Sequence, residues 1–304
     1  MTFVSGKYSP IRHLASIVCP PWLDRDGMLF VMLTFAFDAG GDDGTEYVTV
    51  AGFASSAKDW DEFSVKWKER LNKDRIGFFR AVDATSFRGP FAHWRDLSNR
   101  EELRRSLFAD LMALIKSHVY QKFSCTVVNK EFQKMSKDLR EQFALCAYSL
   151  AGRSCEKYAR KWAMEEWRSC PEMVIAIVFE AGDRGHGKLQ QKLVVDSGHL
   201  VPIFRPKKDV LRDDGMIEPG FIPLQAGDWL AWEVNRATKD AYEGKLESVE
   251  NLRWPMREFL GYPPGRMGIY EPSNIAELES GLDLQNKISA WATAAGLDKK
   301  SASL

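Results

Sequence analysis

The chain has 304 residues, enough for one large domain or two ordinary ones with a sizeable core. With 45% hydrophobic and 28% charged residues it is not a disordered chain. Lys+Arg and Asp+Glu each number 42, so no global charge draws it to nucleic acid or to a membrane, and any such binding needs a local patch.

Residues 1–28 contain Pro10, Pro20 and Pro21 and read as an irregular N-terminal extension. Residues 29–38 form a nearly unbroken apolar run that ends on Asp38 and enters the turn 39–44. A run without polar alternation predicts a strand covered on both faces. A second strand at 46–54 is close enough to pair with it as a hairpin. A helix is expected from Ser56 to Asn72, with Trp60, Phe63, Trp67 and Leu71 at helical spacing. That aromatic stripe reads as packing rather than as a base-stacking platform.

Residues 77–94 look irregular, and a helix follows over 99–118 with an apolar stripe from Leu103 to Ile115. A third strand is predicted at 119–128 and one long helix at 139–167. Residues 173–180 give a second buried-strand signal, again ending on an acid, Glu180. A short helix from Lys188, a strand at 200–204 and a helix over 224–242 complete the core, and 244–304 reads as a tail wrapped on it. The pattern predicts an α/β domain over 29–243, with a helical insertion at about 57–118. Its mixed five-stranded sheet is flanked by helices, in an element order that matches the ribonuclease-H-like architecture.

In that order the first strand and the 173–180 strand are parallel neighbours. Asp38 and Glu180 then face one another at one sheet edge, with Asp183 just beyond, where ligand sites of open α/β sheets form. Asp228 shares a helix stripe with Leu224, Ala231, Trp232 and Asn235, and a carboxylate on an apolar stripe needs a partner. An arginine or a loop cap would serve. So would a cation shared with Asp38 and Glu180. Crowded carboxylates resist ionisation unless a cation neutralises them, and Mg²⁺ or Mn²⁺ suits oxygen ligands. Asp38, Glu180 and Asp228 are therefore the candidate catalytic metal ligands, with Asp83 or Asp183 as outer ligands.

Four segments in order resemble the domain-of-unknown-function 3800 family, mainly prokaryotic and phage proteins of ribonuclease-H-like fold. Asp38-Ala39-Gly40-Gly41 resembles its Asp-x-Ser-Gly element. The segment Phe78 to Asp83, with Pro90, Phe91 and Trp94, resembles its Phe-His-x-x-Asp segment, with Arg80 at the His position. Phe179-Glu180 resembles its fourth-strand acid, and Leu224 to Asp228 its Gln-Leu-Ala-Asp helix, with Gly227 in place of Ala. The resemblance spans about 29–236. It implies a metal-dependent nuclease, of phage defence or mobile-element biology, with Gln225 and Arg80 on the substrate. It equally admits a non-catalytic binding or scaffold protein of a defence or toxin-type system.

A third reading comes from Gly182 to Lys188, which has the Gly-x-x-x-x-Gly-Lys spacing of a phosphate-binding loop, although Leu189 stands where Ser or Thr would hold Mg²⁺. In a softer form, Arg184, His186 and Lys188 contact a substrate phosphate beside the acids. Arg205, Lys207, Lys208 and Arg212 form a basic cluster suited to a nucleic-acid backbone or to solvent. The five cysteines, Cys19, Cys125, Cys146, Cys155 and Cys170, lack zinc-site spacing and read as reduced thiols of a cytoplasmic protein. No secretory signal opens the chain, and no apolar run approaches the ~20 residues that span a bilayer. The partners expected are nucleic acid, RNA or DNA, and a protein partner or second copy of the chain.

Overall fold

A computed structural model describes residues 9–18, 32–41, 44–167, 174–197 and 202–270. Residues 29–31, Asp42, Asp43, Met173, Cys19, Cys170, 200–201 and the tail beyond 270, which carried parts of the expectations above, lie outside the described residues.

The opening run is strand β1, Met32–Gly40, whose first seven residues are all buried. It pairs antiparallel with β2, Tyr47–Ser56, which pairs antiparallel with β3, Gln121–Val128. The strand β4, Val174–Glu180, lies parallel to β1 on its other side, as the element order predicted, and β5, Ile203–Arg205, lies parallel to β4. Two further strands, β6, Val210–Leu211, and β7, Ile217–Glu218, form a separate hairpin. The tail departs from expectation. Residues Gly265–Tyr270 form a strand, β8, that adds to β3 in parallel, so the sheet has six strands in the order β5-β4-β1-β2-β3-β8 rather than five.

Side chains alternate between the sheet's faces, and each face has its own core. Phe35 and Phe37 point to one side, with Phe123, Tyr148 and Trp162. Met32 and Ala36 point to the other, with Trp60, Trp67, Phe79 and Trp229. Asp38 shares the parity of Ala36 and faces this second layer.

That second layer contains α1, Pro10–Val18, and most of the helical insertion. In α2, Ala57–Lys73, the hydroxyl of Ser56 caps the helix by accepting from Asp59 N at 3.0 Å. Trp60, Phe63, Trp67 and Leu71 are buried, so the aromatic stripe is packing. The segment read as irregular holds α3, Ala81–Ser86, and a 3₁₀ turn, Gly89–Trp94, and is followed by α4, Arg100–His118.

On the first face, α5, Asn129–Lys134, was not foreseen. The single helix expected at 139–167 is two: α6, Lys137–Phe143, and α7, Ala147–Glu166. Leu145 between them has φ 57°, a left-handed conformation no α-helix accommodates. After β4 comes α8, His186–Ser197. On the second face α9, Pro223–Tyr242, lies over β1 and β2, and α10, Trp254–Gly261, packs beside it. Asn235 of α9 donates from Nδ2 to Gly40 O at 2.9 Å and Tyr47 O at 3.0 Å, clamping the helix to the β1–β2 turn. Among the described residues no helix is long and apolar enough to cross a membrane. Cys125, Cys146 and Cys155 are buried, and no disulfide joins them among the described residues.

Candidate metal centre

Asp38 ends β1 almost fully enclosed, at 2% exposure. Its Oδ1 accepts from Ala39 N at 2.7 Å. Glu180 ends the parallel neighbour β4. Asp183 follows in the turn, half-buried, and Asp228 projects from the first turns of α9 at 7% exposure. Carboxyl oxygens of Asp38, Glu180 and Asp183 all lie within 4.8 Å of one another.

The residue that sequence reasoning misplaced is Lys207. Its side chain, 11% exposed, enters the group from the segment after β5. Nζ lies 3.0 Å from Asp38 Oδ2, 2.9 Å from Glu180 Oε2 and 2.7 Å from Asp228 Oδ1. The expected basic strip therefore does not exist as one surface. Arg205 and Arg212 both pair with Glu218, at 3.2 and 3.4 Å, and Lys208 lies over the Phe78 ring at 5.0 Å. A usable signal was the position of Lys207: a strand beside Glu180 delivers the following residues to the same carboxyl edge as the acids.

Burial raises the Asp38 carboxyl well above the usual aspartate range; Lys207 opposes this, while Glu180 and Asp228 push it further up. Asp183 is raised to about 7, mainly by burial and then by Asp38, with Lys207 and a hydrogen bond from Tyr148 pulling it down. Burial pulls the Lys207 ammonium down, but Asp38, Asp228 and Glu180 outweigh it and hold the group above the ordinary lysine value.

Asp228 holds the site to the insertion. Its Oδ2 accepts from Ala81 N at 2.6 Å, so a carboxylate from another helix satisfies the first amide of α3. This explains why 77–94 looked irregular: α3 has no side-chain cap of its own at Arg80. Gln225, one turn earlier on α9, is 1% exposed and has no surface for a substrate, which corrects that expectation. Its Oε1 accepts from Trp67 Nε1 and Phe79 N, each at 2.9 Å, and its Nε2 donates to Lys207 O at 2.8 Å. Gln225 thus fixes the backbone that presents Lys207.

The remaining candidates divide. Asp83 lies outside the close carboxylate group; a Cβ on Gly89 would come 3.1 Å from its Oδ2, so its carboxylate packs on the 3₁₀ turn. Arg80, Arg184 and Lys188 are exposed. The His186 ring is half-buried, edge-on to Phe204 at 4.7 Å. In the glycine-rich loop, Gly187 and Lys188 fall in the first turn of α8, and Leu189 is buried against Gly152 of α7. The position where a phosphate-binding loop needs a hydroxyl is therefore core.

The centre suits a hard divalent cation. Its donors are carboxylate oxygens of four acids, three of which pair with the one ammonium. Asp183 Oδ2 is moreover buried with no hydrogen-bond partner. The compact set is Asp38, Glu180 and Asp183, the last expected only as an outer ligand, and Asp228 joins it through Lys207. Compared with family models, with curated proteins and with solved structures, the chain matches none.

Proposed function

We propose that the protein is a divalent-metal-dependent hydrolase of nucleic-acid phosphodiesters, with the ribonuclease-H-like architecture and domain-of-unknown-function 3800 family membership that its motifs suggest. The observation carrying this reading is the convergence of Asp38, Glu180 and Asp183 oxygens within 4.8 Å at the carboxyl ends of two parallel strands. The sheet order β5-β4-β1-β2-β3 and the helix α9 bearing Asp228 support it.

Bound there, Mg²⁺ or Mn²⁺ would lower the pKa of a water and offset charge on the leaving oxygen. Asp38, Glu180 and Asp183 would hold the cation, and Asp228, fixed by Ala81 N, would close the group from the helix side. Lys207, which pairs with Asp38, Glu180 and Asp228, would be released by a bound cation to donate to a phosphate oxygen. Exposed Arg184, on the loop after β4, and Lys188, in the first turn of α8, are placed to meet the substrate backbone.

Mn²⁺ titration with and without Asp38→Asn, with cleavage assays on RNA and on single- and double-stranded DNA, tests the proposal. Saturable Mn²⁺ binding and cleavage that both vanish in Asp38→Asn are expected. Lys207 favours a second reading, because its ion pairs to three carboxylates can close the network without metal. On that reading the chain is a non-catalytic binding or scaffold protein, and neither Mn²⁺ binding nor cleavage occurs.

A further inference from the structure

A cavity of about 480 Å³ lies between α4 and α10, lined by Arg104, Arg105, Phe108, Arg253, Trp254 and Pro255. None of the four acids, nor Lys207, is among its lining residues. The cavity size is that of an ordinary small-ligand site. Three guanidinium groups and two aromatic rings line it, and no carboxylate does.

Two of the arginines are held in place. Arg104 donates from Nη1 to Thr85 O at 3.1 Å, pairs with Glu101 and lies over the Phe87 ring at 5.2 Å. Arg253 Nη1 is 3.1 Å from Glu233 Oε1, and its Cζ lies 4.5 Å from the Trp232 ring centroid. Glu233, 1% exposed, pairs with Arg253 and feels the charges of Arg236 and Arg104. Burial and mutual repulsion among these arginines lower the pKa of Arg253 against the pull of Glu233. Three guanidinium groups, Arg104, Arg105 and Arg253, against two carboxylates, Glu101 and Glu233, leave the wall electropositive. Arg105 is exposed at the rim and, among the described residues, forms no ion pair. Trp254 presents 38% of its surface, enough for a flat ring to lie against it.

We propose that this cavity binds a nucleoside monophosphate, its phosphate on Arg104, Arg105 and Arg253 and its base against Trp254. Fixed guanidinium forks are the preferred protein donors to phosphate oxygens, and every base has a face to stack on an indole. Neither chemistry alone explains both halves of the lining. The proposal does not depend on the acidic centre.

Calorimetric titration with adenosine monophosphate tests it, with inorganic phosphate and adenosine as separate half-ligand probes. Adenosine monophosphate is expected to saturate, at least tenfold tighter than either half. Arg105→Ala and Trp254→Ala should each weaken it by roughly tenfold. Both side chains are exposed, so thermal melts should confirm intact folds. Asp38→Asn should bind adenosine monophosphate as the wild type does. Equal affinity for nucleotide and phosphate would overturn the proposal, as would indifference to both cavity substitutions or loss of binding in Asp38→Asn.

Discussion

Lys207 and Asp38, 169 positions apart in the chain, meet with Nζ 3.0 Å from Oδ2 inside an otherwise acidic cluster. This pair decides how the centre behaves. Four carboxylates close together repel one another, and this ammonium, paired with three of them, offsets part of that repulsion.

Lys207→Met should therefore destabilise the metal-free protein. Breaking a buried ion pair by removing one partner costs about 3–5 kcal/mol, and Lys207 serves three carboxylates. Mn²⁺ at millimolar concentration should restore much of the loss, so that melting rises more with Mn²⁺ in Lys207→Met than in the wild type. A variant whose melting ignores Mn²⁺ would show that the acids do not accept a metal.

The raised Asp183 carboxyl sets a pH dependence. Its folded value of about 7 lies above its ordinary 3.8, so the folded, metal-free protein holds a proton that the unfolded chain has lost. Between those values stability should fall as pH rises, and above about 7 this contribution is constant. Metal affinity should run the other way, climbing with pH until about 7, because a ligand carboxyl must be ionised. Asp183→Asn should make both profiles shallower, leaving the part that the raised Asp38 and Glu233 carboxyls contribute. Melts and Mn²⁺ titrations between pH 5 and 8 measure them.

Gln225→Leu removes one side chain that satisfies Trp67 Nε1, Phe79 N and Lys207 O together. Orphaning buried partners costs roughly 1–3 kcal/mol each, so a total loss of about 2–5 kcal/mol is expected after partial relaxation. The residue touches no substrate, so the distinguishing outcome lies at the metal. Because Gln225 holds the Lys207 backbone, Mn²⁺ affinity should change even below the melting transition. An unaltered Mn²⁺ titration would show that Lys207 is positioned by its acids alone.

The acids were legible in the sequence because strand ends and helix stripes advertise them. The unbroken apolar runs before Asp38 and Glu180 implied neighbouring parallel strands, and β1 and β4 are neighbours. Lys207 was not legible, because Arg205, Lys208 and Arg212 around it read as a surface strip until tertiary partners are known. Nor was α3, since Asp228, 147 positions from Ala81, supplies its cap. Strand β8 was hidden for a different reason. Its residues alternate between exposed and half-buried, and Gly265 and Gly268 interrupt any apolar run.

Gly40 offers the last test, at a position where the resembled family carries serine. A Cβ there would lie 2.7 Å from Ala231 O and 3.3 Å from Asn235 Cβ, so β1 and α9 touch backbone to side chain-free backbone. Neither strand nor helix backbone yields cheaply, and Gly40→Ser should cost about 1–3 kcal/mol through overpacking. The strain falls between Asp38, two residues earlier, and Asp228, one turn before Ala231. Gly40→Ser should accordingly loosen the Asn235 clamp and weaken Mn²⁺ binding, whereas Gly187→Ser, with nothing within 4 Å of the added atom, should leave both unchanged. Equal behaviour of the two variants would show that the close approach of β1 and α9 does not govern the spacing of the carboxylates.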